Sequence, residues 1–281
     1  MQPMLFERCP VVVRGGGDLA SGVIYKLHRA GFPVMVTELA APMLVRRAAS
    51  YGDAVYSGRI VVDGITATRA ELAEAGEQSV RVYVDYDVKR IQDELKPVVL
   101  VDARMDKQNP DTRITDARLV VALGPGYTAG VDCHAVIETK RGHTLGKVIE
   151  TGSTEPDTGE PDAVQGITHA RVLRAPHAGH VMPEMIRLNG ETRPIQIGDV
   201  LEAGQPIAQI DGSLIVAPFK GVLRGLIHQN VLVKEGMKIG DIDPRGQRAS
   251  CFSISDKARA IGGGVLEAVL AASAIHPYLS R

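Results

Sequence analysis

The sequence predicts an α/β domain built on a largely parallel sheet, then a small β domain, then a C-terminal helix. Three observations carry this. Across residues 1–150, short β-branched runs alternate with segments whose apolar residues recur at helical spacing. From about residue 166 the segments shorten, glycine turns multiply and an internal repeat appears. From Ser255 to Ile275 the apolar spacing is helical again.

Taken in order, Val11–Arg14 is a β-branched run that meets glycines at once. Leu19, Ala20, Val23, Ile24, Leu27 and Ala30 then share one helical face, which Gly31 and Pro33 bring to a stop. Val34–Thr37 reads as a second strand, and Met43–Ser50, entered through Pro42, as a second helix. Further strands are expected at Ala54–Tyr56, Ile60–Val62, Val80–Val84, Val98–Asp102, Leu119–Leu123 and Ala135–Thr139. Val88, Ile91 and Leu95 mark a helix that Pro97 closes. Strands alternating with helices predict a sheet covered on both faces.

The 281 residues suggest two domains, placed at 1–150 and 166–250, with 151–165 as linker or functional loop and 251–281 as the terminal helix. Residues 151–165 are rich in Thr, Ser, Gly, Pro and acids, the composition of an exposed connection or of a substrate-facing loop. In the last segment Ser255 or Asp256 can cap the helix, and Ala258, Ile261, Val265, Val269 and Ala272 share a face. Gly262–Gly264 interrupt it. Either the helix starts after them or they admit close backbone approach.

Composition excludes several classes. Lys+Arg 32 against Asp+Glu 33 gives a net charge of −1, without the basic excess of a nucleic-acid binder. Trp is absent and Phe plus Tyr number 11, too few for extended stacking on sugars or single strands. No apolar run is long enough for a transmembrane helix, and the N-terminus lacks a signal-peptide pattern. Three cysteines, Cys9, Cys133 and Cys251, form no CxxC and no disulfide framework, which fits a reducing cytoplasm.

The repeat has two halves. Ala175-Pro176-His177-Ala178-Gly179 returns 42 residues later as Ala217-Pro218-Phe219-Lys220-Gly221. Gly204 to Asp211 returns 32 residues later as Gly236 to Asp243. Two such halves predict a small antiparallel barrel or sandwich with a pseudo-twofold axis. Residues 170–245 thereby resemble the biotinyl/lipoyl-type barrel-sandwich superfamily. In those carriers the modified lysine sits in the hairpin between the halves. Here that hairpin is Asp211-Gly212-Ser213-Leu214, without lysine, and Met237-Lys238-Ile239 falls at an ordinary strand entry. Covalent biotin or lipoate attachment is therefore not expected.

The strongest local signal is Gly15-Gly16-Gly17-Asp18-Leu19-Ala20, between a strand and an amphipathic helix. It matches the Rossmann-type pattern G-x-G-x-x-(G/A): a tight turn, a close approach to phosphate, and a small residue for helix packing. The helix N-terminus then offers N–H groups to an anion. Glu38, 23 positions after Gly15, stands where an acid meets ribose hydroxyls. The alternative is a turn kept for packing, and the charge of Asp18 would oppose a pyrophosphate placed very near. Gly124 and Gly126 follow a second buried strand, and Asp102 and Arg104 a third. All fall at strand carboxyl ends, where open parallel sheets bind ligands. Arg104 can clamp a phosphate or make a surface salt bridge. Asp102 can act as a base or as a turn residue. Cys133, within Asp132-Cys133-His134, is the best thiol candidate, but no second cysteine lies at ligand spacing and no metal site is expected. Signatures of serine hydrolases, P-loop NTPases and zincins are missing from the sequence.

Longer phrases point further. VVVRGGGDLASGVIYKLHRAGFPVMVTE (11–38), VALGPGYTAGVDCHAVIETKRGHTLGKVI (121–149), APFKGVLRGLIHQNVLVKEGMKIGDIDPR (217–245) and SDKARAIGGGVLEAVL (255–270) resemble the selenium-dependent molybdenum hydroxylase accessory (YqeB-type) family. The N-terminal part is similar to XdhC-type maturation factors. The resemblance implies a cytoplasmic accessory or maturation factor that binds molybdenum cofactor, a molybdopterin dinucleotide. Its partner would be a molybdenum hydroxylase or a selenium-donor protein, and it is compatible with a homo-oligomer. A pterin pyrophosphate would then lie on Gly15–Gly17 and Gly124–Gly126, with Arg104 and Glu38 adding contacts. Three alternatives stay open: an NAD(P)-dependent oxidoreductase, a non-enzymatic assembly chaperone, and a protein whose crevice is empty. Whether the chain is an enzyme is left open with them.

Overall fold

The computed structural model describes residues 4–74, 77–156, 169–188 and 190–279. The chain divides into two compact units, Met1–Ala40 with Ser50–Thr158 and Ile254–Arg281, and Ala41–Ala49 with Gly159–Ser253.

The first unit runs β1 (Val11–Arg14), α1 (Asp18–Ala30), β2 (Val34–Glu38), α2 (Ala54–Ser57), β3 (Arg59–Val62), β4 (Ile65–Arg69), β5 (Val80–Val84), α3 (Val88–Arg90, continued by a π turn over Ile91–Leu95), β6 (Val99–Asp102), β7 (Leu119–Leu123), β8 (Ala135–Ile137), β9 (Val148–Ile149) and, from the chain's end, α4 (Asp256–Ala271). The nine strands form one sheet in the order β3-β4-β5-β2-β1-β6-β7-β8-β9. β4 to β8 with β1 and β2 are parallel, and β3 and β9 close the edges antiparallel. Its centre, β5-β2-β1-β6-β7-β8, has the strand order of a doubly wound sheet, reversing between β1 and β6.

Alternate residues of the central strands feed two cores. Val11, Val13, Val99, Val101, Leu119 and Val121 pack with α1 and α4, while Val12, Leu100, Val120 and Val136 pack with Ile91, Tyr127 and Cys133. The connections β6–β7 and β7–β8 carry no helix. The face they leave is covered by α4, whose Ile261, Val265 and Val269 are buried with Leu119, Val121 and Ile137. Of the two readings of Gly262–Gly264, close approach is the one observed. They lie inside α4, and Gly262 and Gly22 abut through backbone where α1 and α4 cross. Ser255 caps the helix, accepting from Ala258 N at 3.1 Å.

Two expected elements are corrected. Met43–Ser50 forms only a 3-10 turn at Arg47–Ala49. Eight residues make a marginal helix, and this segment is held from outside instead. Arg46 Nη2 donates to Ser250 O at 3.1 Å, Arg47 Nε to Leu226 O at 3.1 Å, and Gly225 leaves room for Val45. Ala54–Tyr56 is helical, not extended: Gly58, at φ +75°, closes a single turn by donating to Ala54 O at 2.8 Å. β8 stops at Ile137 rather than Thr139, because the Glu138 carboxylate takes the Thr139 and Lys140 N–H groups, each at 2.7 Å. β4 was not expected. Its signal was Asp63-Gly64 between β-branched runs, which turns at φ +46° and +79° in a two-residue hairpin joining Val62 to Ile65.

The second unit consists of small antiparallel sheets: β10 (Val172–Arg174), β11 (Gly179–His180), β12 (Met182–Pro183), β13 (Met185–Leu188), β14 (Glu191–Pro194), β15 (Val200–Leu201), β16 (Pro206–Ile210), β17 (Ser213–Val216), β18 (Gly221–Leu226), β19 (Leu232–Val233) and β20 (Lys238–Asp243). Its pairing is reciprocal. Ala175 exchanges backbone bonds with Gly236 and Met237, and Ala217 with Gly204 and Gln205, in both cases at 2.8 and 2.9 Å. Val172↔Asp241 is answered by Leu214↔Gln209, and Gly179↔Val233 by Gly221↔Leu201. The first half of each repeat thus pairs with the second half of the other, which is a pseudo-twofold. The interval falls from 42 to 32 residues because the ten-residue hairpin β13–β14, Met185–Pro194, is inserted in one half only. Residues 157–168, most of the expected linker, lie outside the described residues.

Candidate functional site

Gly15–Gly17, Glu38, Asp102, Arg104, Gly124 and Gly126 all end or follow parallel strands at one edge of the sheet, β1 and β6 flanking the reversal of strand order. Gly15 sits at φ +90°, donates to Thr37 O at 2.8 Å, and an added Cβ would lie 3.2 Å from the Ala103 backbone. Gly16 accepts from Gly52 N at 2.8 Å, and a Cβ there would meet Gly52 at 2.7 Å. Gly17, at φ −71° and ψ −171°, is the N-cap of α1 and makes no side-chain cap, and Asp18 is the first helical residue. The Gly16 N–H is engaged: it donates to Glu38 Oε1 at 2.7 Å, while Glu38 Oε2 accepts from Leu39 N at 2.9 Å. Burial pushes the Glu38 carboxyl up, against the weaker downward pull of these two N–H donors.

Gly124 and Gly126 are also shaped by neighbouring loops. A Cβ on Gly124 would meet Thr139 Oγ1 at 2.6 Å, and one on Gly126 the Lys107 backbone at 2.8 Å. Both glycines are at positive φ, +71° and +104°.

Between these turns lies an ionic cluster that sequence reasoning saw only in part. Arg104 forks onto Asp102, Nε to Oδ1 at 3.1 Å and Nη2 to Oδ2 at 2.6 Å, and its Nη2 also reaches Asp111 Oδ1 at 2.7 Å. Arg14, buried at the end of β1, forks onto Asp111 with both distances 2.9 Å. Thr112 Oγ1 donates to Asp102 Oδ2 at 2.5 Å. Asp102 is fully buried. Burial alone would raise its carboxyl, but Arg104, Thr112 and Arg14 outweigh burial and hold it below the usual aspartate range. A carboxylate held so firmly ionised is a weak proton acceptor at neutral pH. Arg14 had a legible signal, a charged residue ending a buried run. Asp111 and Thr112 had only the length of the loop that carries them.

Tyr127 lies beneath this cluster, 1 % exposed, and its hydroxyl has no hydrogen-bond partner among the described residues. Burial first, and then the negative charge of Asp102, push its ionisation up. Cys133 is also fully buried, and burial, followed by the charges of Asp132 and Asp102, pushes its thiol up to about 12. It is a packed thiol, not a poised thiolate. His134 accepts from Val120 N at 3.0 Å and serves the strand ladder. Among the described residues no three His, Cys, Asp or Glu converge as metal ligands, and no single helix is long and apolar enough to cross a membrane.

The strand order is consistent with a Rossmann-like α/β unit, reversing between β1 and β6. The chain is similar to a protein of Escherichia coli K12 named uncharacterized protein YqeB, with 47% identity over 264 residues. That match takes in 92% of this chain and 47% of the relative, so the chain spans about half the length of the curated relative it matches. The likeness supports the YqeB-type resemblance, and the relative's name states no activity. No protein-family model matches the chain.

Proposed function

We propose that the chain is an accessory or maturation factor for selenium-dependent molybdenum hydroxylases, and that its first unit holds the nucleotide end of a molybdopterin dinucleotide at the carboxyl edge of the sheet. One observation carries the reading: the glycine turn at the strand-order reversal already holds an anionic group, Glu38 at 2.7 Å from Gly16 N, beside an α1 N-terminus with no side-chain cap. Such a turn suits a pyrophosphate. Gly15–Gly17 and the first turn of α1 would hold the phosphates, the partly exposed Arg104 would face them from β6, and the Gly124–Gly126 loop would wall the crevice. The cofactor brings its own redox and metal chemistry; the chain's part is to bind and orient it. The kinship with XdhC-type factors belongs to this proposal. So do a barrel-sandwich architecture for the second unit and its role as the surface met by a hydroxylase or selenium-donor protein.

The test is anoxic calorimetry with molybdopterin cytosine dinucleotide and, separately, NADPH. Tight binding of the first and none of the second is expected. NADPH binding alone would replace this reading with an oxidoreductase. The Gly17→Val variant serves as site control, because φ −71° and ψ −171° accept a side chain without strain. It should lose dinucleotide binding at unchanged thermal stability. Unaltered affinity would remove the turn from the site.

A further inference from the structure

We propose that Glu38 is an internal stand-in for the ligand's anion: its carboxylate keeps the Gly16 N–H satisfied until a phosphoester oxygen takes that N–H from it. The inference rests on the reading that the crevice receives a phosphate-bearing ligand, and it names the residue that ligand must displace.

Two features support it. First, Glu38 is the last residue of β2, and its carboxylate reaches back to the glycine turn, 2.7 Å from Gly16 N. A backbone N–H buried at a tight turn is costly if left unpaired, so a crevice open to an anion needs a substitute acceptor when empty. Second, the carboxylate has no cationic partner among the described residues. Its bonds are to two backbone N–H groups, Gly16 and Leu39, and the charged side chains on the neighbouring turns include Asp18, Asp53 and Asp85, all acids. Arg14 and Arg104, the nearby cations of the crevice, are committed to Asp111 and Asp102. An acid that no cation pins is free to be exchanged. It is followed by Leu39, 55% exposed, so the chain beyond it leads outward.

A phosphate arriving at Gly16 N meets a resident negative charge a hydrogen bond away, and like charges at such distances oppose each other strongly when partly shielded from water. Glu38 would therefore set the affinity and restrict the crevice to ligands whose other contacts outweigh its displacement.

The experiment uses the full chain and inorganic pyrophosphate as probe, with binding read by calorimetry and by the Gly16 amide in nitrogen-15 spectra. Glu38→Gln removes the charge while keeping one acceptor oxygen for the Gly16 N–H, and should bind at least about tenfold tighter than the parent. Glu38→Ala, which empties the seat, should gain as much. Asp18→Asn removes one charge of the same turn without freeing the N–H, and should gain clearly less. The Gly16 amide should shift on saturation in every form that binds. Equal affinity of Glu38→Gln and parent, an equal gain from Asp18→Asn, or an unmoved Gly16 amide at saturation would each overturn the proposal. The molybdopterin dinucleotide separates the two claims. If it does not bind while the pyrophosphate results hold, the pterin reading falls and the role of Glu38 stands. If it binds with an affinity indifferent to Glu38, the pterin reading stands and this inference falls.

Discussion

Asp102 keeps its charge in the interior because Arg104, Arg14 and Thr112 converge on it. A buried charge is tolerated only when paired, and removing one partner exposes the full cost of the other. The same cluster has an acid limit. The fork from Arg14, followed by the pair with Arg104, brings the Asp111 carboxyl down to about 2. A carboxyl lowered on folding adds stability that is complete above the unfolded value of about 3.9 and is lost as pH falls through the folded one. In urea titrations from pH 6 to pH 2, the stability gap between parent and Asp111→Asn should hold above about pH 4 and close towards pH 2. A gap independent of pH would contradict the ion pairs. The cysteines make a second residue-scale prediction. All three are buried, with Cys9 pushed up to about 11 and Cys133 to about 12 by burial. Native protein at pH 8 should show no fast thiol towards Ellman's reagent, and three after urea. One fast thiol in the native state would return Cys133 to the list of nucleophiles.

At the scale of elements, α1 and α4 cross so closely that glycine is required on both. A Cβ on Gly22 would overlap the Ala258 carbonyl, and one on Gly262 the Gly22 carbonyl, whereas one on Gly263 meets nothing within 4 Å. The same Gly→Ala change should therefore act with opposite sign at adjacent positions. Gly262→Ala should cost about 1–3 kcal/mol by forcing the helices apart. Gly263→Ala should gain about 0.5–1 kcal/mol through helix propensity. Thermal and denaturant unfolding of the two variants check the pair, and equal effects would refute the crossing. In the second unit, Asp241 is fully buried between Arg171, at 2.5 Å, and Arg224, whose Nε is at 2.6 Å. Its repeat counterpart, Gln209, is uncharged. The two halves share a backbone register and differ in what they bury.

For the whole molecule, the consequence of topology is that α4, the last long helix, completes a core begun by α1. Ile261, Val265 and Val269 are each fully buried, at about 1.5–3 kcal/mol apiece. A chain ending at Ser253 should leave one face of β7 and β8 uncovered. Hydrogen exchange should then show lost protection throughout the first unit, with dye binding to the bared apolar face. Retained protection in β6–β8 would mean that α4 is dispensable.

The sequence by itself determined what is local or periodic. The β1–turn–α1–β2 run was legible because a β-branched strand, a glycine turn, a helical stripe and the Gly31 stop are consecutive. The C-terminal helix was legible from its stripe and from two adjacent capping candidates, Ser255 and Asp256, and the pseudo-twofold of the second unit from two repeated phrases, 42 and 32 residues apart. Only the tertiary structure decided the rest, where backbone and side chains find partners far along the chain. Met43–Ser50 gives up its helix because Val45, Arg46 and Arg47 are held by residues about 180–205 positions later. Ala54–Tyr56, β-branched in part, is a turn of helix that Gly58 closes. The glycines of the candidate site were visible, but not that Glu38 already occupies the Gly16 N–H, nor that Arg14, Asp111 and Thr112 complete the ionic cluster. No spacing in a sequence records those meetings, because they depend on which strand ends the sheet order brings side by side.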